Sequence, residues 1–215
     1  MPKKLAAAFL SFCLAASLLA GCGQEDSGAV SGAASRDFPV TVVGVTLNQA
    51  PKGVVVLSSS LAEVILEMDY EISLKAKSED CVQSDLSVLP NVTMDDAQAM
   101  KDAGADLVLT EVAPTEEQKA ALDAAGIQVM TIERATSRAD LDRLYGEVGS
   151  ALRGGKTGYT RGVKVSQSIF KGIDDISRLI PDTDILTSVC YLYNVEGGVV
   201  TGDTLEGKLL SLIHI

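Results

Sequence analysis

Histidine is nearly missing from this chain: His214 is the single one among 215 residues. A lone imidazole at the far end builds no Ser–His–Asp constellation, and no GxSxG motif is present. It also leaves zinc or manganese without the imidazoles such sites usually take. Positive charge is scarce as well. Lys and Arg number 18 against 29 Asp and Glu, a net charge of −11, which argues against nucleic acid as a partner and against adhesion to anionic headgroups. No GxGxxG is present, and Gly155-Lys156-Thr157 only mimics the end of a phosphate-binding loop. Ser150 stands where that motif has glycine, and the stretch follows a helical pattern rather than a strand. No CxxC pair occurs among Cys13, Cys22, Cys81 and Cys190. We read Cys81 and Cys190 as buried free thiols; a disulfide between them is the alternative, and no spacing argument selects it. No repeat of solenoid type is visible. The chain reads as a non-enzyme without a resident cofactor or metal.

What is present begins with an N-terminal leader. Lys3 and Lys4 precede an apolar run from Leu5 to Leu18, too short for a comfortable membrane span of about 20 residues. Leu19-Ala20-Gly21-Cys22 then resembles the bacterial lipobox, in which the cysteine becomes the acylated first residue of the mature protein. An uncleaved membrane helix is the alternative. The expected order is a signal peptide over 1–21 and a Gly/Ser/Ala-rich flexible linker over 22–36. Two acyl chains on Cys22 suffice for stable anchoring, so we expect an extracytoplasmic protein, lipid-anchored to the bacterial cell membrane. At the other end, Leu210-Ser211-Leu212-Ile213-His214-Ile215 matches what a common sequencing adapter encodes. We expect residues 210–215 to be non-native.

Between these ends apolar residues make up enough of the chain (47% overall) to bury a real core. Val40 to Val43 and Val45 to Leu47 predict a small hairpin turning at Gly44. Val54 to Leu57 is a continuous run typical of a buried parallel strand, and Leu61 to Met68 is helical, with Leu61, Val64, Ile65 and Met68 on one face. The alternation repeats: strand at Ile72-Ser73-Leu74, helix at Asp95 to Ala103, strand at Leu107 to Leu109. A helix over Thr115 to Ala125 ends at Gly126, and Ile127 to Ile132 is a further strand. This spacing predicts a parallel, doubly wound sheet with its ligand sites at the carboxyl ends of the strands. Ser137 to Arg153 reads as a helix with Leu141, Leu144, Tyr145, Val148 and Leu152 inward. A longer one follows from Thr157 to Leu179, with Tyr159, Val163, Ile169, Phe170, Ile173, Ile176 and Ile180 inward, stopped by Pro181. Ile185 to Tyr193 and Val199-Val200-Thr201 start a new sheet.

Several of these pieces occur together in one family. Ala50 to Leu66, with its Val54-Val55-Val56-Leu57-Ser58-Ser59-Ser60 core, resembles the opening of bacterial solute-binding proteins that deliver iron-siderophores, haem or cobalamin to ABC importers. Gly104-Ala105-Asp106-Leu107-Val108-Leu109-Thr110 looks like that family's Lys-Pro-Asp-Leu-Val element, and Val199 to Leu209 like the early part of its second lobe. The resemblance covers Phe38 to Leu209. It implies an α/β fold of the class III periplasmic-binding type: a Rossmann-like N-lobe (37–155) with a parallel sheet, a long connecting helix (156–180) and an incomplete second lobe (181–209). It also implies a permease, its ATPase and a small chelate as partners, and a monomer.

The strand-to-helix turn at Ser58, Ser59 and Ser60 offers backbone N–H groups and a favourable dipole to acidic ligand groups; the plainer reading makes Ser60 an N-cap. The other strand-end loops hold Lys77, Ser78, Glu79 and Asp80, then Thr110 and Glu111, then Glu133 and Arg134. Each is equally what an ordinary solvated loop would look like. By the resemblance, Tyr191, Tyr193 and Asn194 face the cleft from the second lobe. Glu63 occupies the family's acidic position on the first helix, and Asp95, Asp96 and Gln98 lie near its second transporter-docking position. Gln98 departs from the family's glutamate there. The competing readings are a zinc- or manganese-binding importer lipoprotein and a purely structural lipoprotein.

Overall fold

The computed structural model describes residues 37–179, 204 and 206–208. The leader, Cys22, Cys190, Tyr191, Tyr193, Asn194, Pro181, the strands expected after it and the 210–215 tail lie outside the described residues.

Two short strands, β1 (Val40–Val42) and β2 (Val45–Leu47), form the expected antiparallel hairpin. Its two-residue turn has positive φ at both Val43 (41°) and Gly44 (80°), the twist that joins two strands tightly. β3 (Val54–Val56), β4 (Leu74–Lys77), β5 (Leu107–Thr110) and β6 (Gln128–Thr131) make a sheet in the order β4-β3-β5-β6, every pair parallel. Helix α1 (Ser59–Glu67) follows β3, α2 (Ala97–Asp102) precedes β5, and α3 (Glu116–Ala125) joins β5 to β6. Then α4 (Arg138–Arg153) and α5 (Gly155–Ser177) run on with only Gly154 between them.

Both faces of the sheet are covered, which is why its strands read as unbroken apolar runs. Val54, Val56, Leu107, Leu109 and Met130 pack with α1 and α4. Val55, Ala76 and Val108 pack on the other face with Ala97, Met100 and Leu122 of α2 and α3. The doubly wound α/β expectation holds.

Four local expectations differ from the structure. Ile72-Ser73 is not strand: Glu71–Ser73 is a 3-10 turn, Ile72 is 83% exposed, and the strand starts at Leu74. β4 then skips one residue against β3, pairing Leu74 with Val54 but Ala76 with Val55, so Leu74 and Ala76 enter opposite layers. α2 begins at Ala97 rather than Asp95, because Asp96 is turned to accept the Thr93 backbone N–H at 2.7 Å. The cap of α1 is Ser58 and not Ser60: the Ser58 hydroxyl accepts the Leu61 N–H.

The fourth difference concerns α5. Its buried positions are Gly158, Gly162, Ser166 and Phe170, spaced four apart, whereas Tyr159 and Ile176 of the expected apolar stripe are 44% and 59% exposed. The small residues let α5 approach α4 more closely than a leucine stripe would. Tyr159 lays its ring over Gly146 of α4. At the far end the Ser166 hydroxyl donates to Asp142 at 2.6 Å, and Arg138 stacks on Phe170 at 4.3 Å while bonding Asp174 at 2.5 Å. A cavity of about 310 Å³ opens beside that Arg138–Asp174 clasp.

Candidate functional site

Chain order 4-3-5-6 places the first strand of the sheet centrally, with its successor on one side and the third strand on the other. The crossovers therefore leave in opposite directions, and α1 and α2 lie on opposite faces. The point where they part, at the carboxyl ends of β3 and β5, is the topological switch point at which open α/β sheets take their ligands. The residues just beyond those ends are Ser58–Ser60 and Glu111.

The structure brings these together. The Leu61 N–H donates to Ser58 Oγ at 3.4 Å, Ser58 Oγ lies 3.0 Å from Ser60 Oγ, and Ser60 Oγ donates to the half-buried Glu111 carboxylate. Because Ser60 gives its proton to Glu111, the Ser58 hydroxyl donates to Ser60. A one-way hydrogen-bond relay thus runs from the helix backbone to a carboxylate. The second loop is pinned to the same turn: the Gln83 side-chain amide donates to Ser59 O at 3.2 Å, Ser59 Oγ at 3.0 Å and Glu63 at 2.9 Å. Successive residues of α1 therefore hold the loops that follow β4 and β5.

Other expected residues are placed differently. Lys77 is 7% exposed, and its ammonium donates to Asn91 at 2.8 Å and to Ser78 O; it supports its loop from beneath. Ser78 Oγ lies 3.2 Å from Cys81, a free buried thiol that burial pushes up in pKa. Glu79 and Asp80 are exposed at the edge. Thr110 is buried, with its hydroxyl exchanging bonds with the Val112 backbone. Glu133 is exposed, and its carbonyl accepts from Arg143, which also pairs with Glu147 at 2.8 Å. Arg134 lies 3.7 Å from Glu206 with both side chains open to water, a contact worth little in stability. Of the expected docking residues, Asp95 accepts from Gln118 and Asp96 is held low in pKa by the Thr93 backbone and hydroxyl. Gln98 is spent on Asp102 one turn along, at 2.7 Å.

Sequence reasoning missed Gln83 and Asn91, whose partners lie 14 to 24 residues away with no local signal. It also missed Val82 and Val112, exposed by 83% and 72% in the loops beside Gln83 and Glu111. An apolar residue inside an otherwise polar strand-end loop was the available signal. Among the described residues no group of three His, Cys, Asp or Glu side chains is arranged to hold a bare metal ion.

The core behind the site carries its own titration. Burial, with Glu67 and Glu63 adding to it, pushes the Tyr145 phenol from 10.0 to about 12. The folded protein keeps this proton where the unfolded chain has released it, so the contribution is whole below pH 10 and is lost as pH rises towards about 12. Tyr145→Phe is expected to remove that leg of the alkaline unfolding profile followed by circular dichroism. An unchanged profile would refute the assignment.

No protein-family model matches the sequence, and no curated protein does. Solved structures do share the fold. The periplasmic haem-binding protein HutB of Vibrio cholerae superposes with a TM-score of 0.60 at 18% identity, over 75% of this chain and 64% of that one. A possible iron-binding, periplasmic solute-binding protein from Staphylococcus epidermidis gives 0.56 at 13% identity, over 77% and 66%. The periplasmic haem-binding protein RhuT from Roseiflexus gives 0.55 at 18% identity, over 75% and 63%. The chain spans less than two thirds of the length of these structures. Its fold is that of the class III periplasmic binding proteins.

Proposed function

We propose that this chain is the capture component of an ABC importer, working outside the cytoplasmic membrane. It takes a metal chelate (a ferric siderophore, haem or cobalamin) at the carboxyl edge of its sheet, together with a second lobe. It then presents the load to a permease and its ATPase. The observation that carries this reading is positional: the switch point of a class III fold holds the pinned cluster of Ser58, Ser60, Glu111, Ser59 and Gln83. Loops tied to one helix turn form a preorganised rim, which lowers the ordering cost of gripping a ligand. The α5 helix, 23 residues and roughly 34 Å at 1.5 Å per residue, is stiff enough to restrict the lobes to a small closure. Exposed Glu63, Asp95 and Asp96 are the docking acids of this scheme.

Titration with ferric trihydroxamates, haem and cobalamin, read by quenching of the tyrosine fluorescence, tests the role. Saturable binding of one class at a single site is expected of the two-lobed protein. Failure of all of them to bind it, or hydrolytic turnover of a bound chelate, would overturn the role. Anchoring is tested separately. Cys22→Ala is expected to move the protein from the membrane pellet to the soluble fraction; retention in the pellet would sink the lipid anchor.

A further inference from the structure

We infer that Glu111 is a charge filter: it seats a fixed carboxylate at the N-terminus of α1, so that the cleft prefers neutral or cationic chelates to carboxylate-bearing ones. This rests on the capture role proposed above. A helix N-terminus at a switch point ordinarily attracts an anion from the ligand. Here the chain supplies the anion itself. The relay of Ser58 and Ser60 ends on Glu111, so the hydroxyl protons of these two residues are already committed. The donors of Gln83 are spent in the same way on Ser59 and Glu63. Its other amide atom, Oε1, is buried with no hydrogen-bond partner among the described residues. The Glu111 carboxylate and the Gln83 Oε1 thus set two acceptors beside the helix N-terminus, where a carboxylate ligand would meet a like charge. Charge agrees with this. Glu79, Asp80 and Glu133 stand exposed on the same edge, where the exposed cation Arg134 already faces Glu206.

The experiment compares affinities of the purified two-lobed protein for a cationic and a neutral ferric trihydroxamate, ferric citrate and haem, in wild type and in Glu111→Gln. Gln keeps an oxygen for the Ser60 hydroxyl, so the relay geometry survives. Wild type is expected to bind the trihydroxamates more tightly than the carboxylate-bearing pair. In Glu111→Gln that ratio is expected to shrink on the order of tenfold, the effect of one charge at roughly 10 Å and an effective dielectric near 20. Glu71→Gln, an exposed acid at the opposite edge, changes net charge equally and is expected to leave the ratio alone. Tighter binding of the carboxylate-bearing chelates by wild type, or a ratio that Glu111→Gln moves no more than Glu71→Gln does, overturns the filter while leaving the capture role intact. Binding of none of the four overturns both.

Discussion

Gly158→Ala is expected to destabilise the protein by about 3 kcal/mol, at the upper end of what one added methyl group costs a packed core. A Cβ at Gly158 would run into the Gly149 carbonyl of α4, with its carbon at 2.7 Å and Ser150 Cα at 3.1 Å. Both obstacles are backbone, so no side chain can swing aside; the helices must separate. Gly162 faces the Tyr145 backbone with the same lack of room, its Cβ 2.5 Å from the carbonyl carbon. For a domain of this size the loss corresponds to a fall of roughly 6 to 12 °C in Tm. Gly172→Ala is the matched control: this helical glycine is exposed with open space around it, and alanine there is expected to stabilise by about 0.5–1 kcal/mol. Melting curves showing Gly158→Ala within a degree of wild type would mean that the two helices do not meet along this seam.

Asp106→Ala is expected to cost about 2 kcal/mol, through backbone groups more than fifty residues away. The Asp106 carboxylate accepts the Lys52 N–H at 3.0 Å and the Gly53 N–H at 3.2 Å, while the Gly53 carbonyl accepts the Asp106 N–H at 2.9 Å. This two-way lock joins the approaches to β3 and β5, where Gly53 passes too close to the Gly104 backbone for any side chain. Removing the carboxylate strands the buried Gly53 amide, whereas Lys52 is exposed and turns to water. Asp106→Asn keeps one acceptor and is expected to lose about half as much. Urea midpoints at unchanged slope measure both, and an Asp106→Ala loss below about 0.5 kcal/mol, the range of an ordinary surface change, would refute the lock.

The element types along 37–179 follow from local physics. Val54-Val55-Val56 and Leu107-Val108-Leu109 are too uniformly apolar for a half-exposed strand, and a parallel sheet buried on both faces is where such runs are stable. Thr115 with Gln118, and Gly126 after Ala125, mark the ends of α3 in the sequence because capping involves neighbours in the chain. The carboxyl edge of the sheet, where the candidate site is placed, follows from the same alternation.

What only tertiary structure decided is which side chains at that edge are exposed and which are tied to a distant partner. Lys77 reads as a cleft cation in the sequence, yet a skipped residue in β4 and the position of Asn91 bury it. Ser60 reads as a helix cap, yet its proton goes to Glu111, 51 residues on. The face that α5 buries was likewise hidden, since hydrophobic periodicity scores Tyr159 and Ile176 and is blind to glycines whose merit is the room they leave. Each of these outcomes depends on a partner distant in the chain, and a hydrogen bond or a close helix approach across such a separation leaves no mark on local pattern.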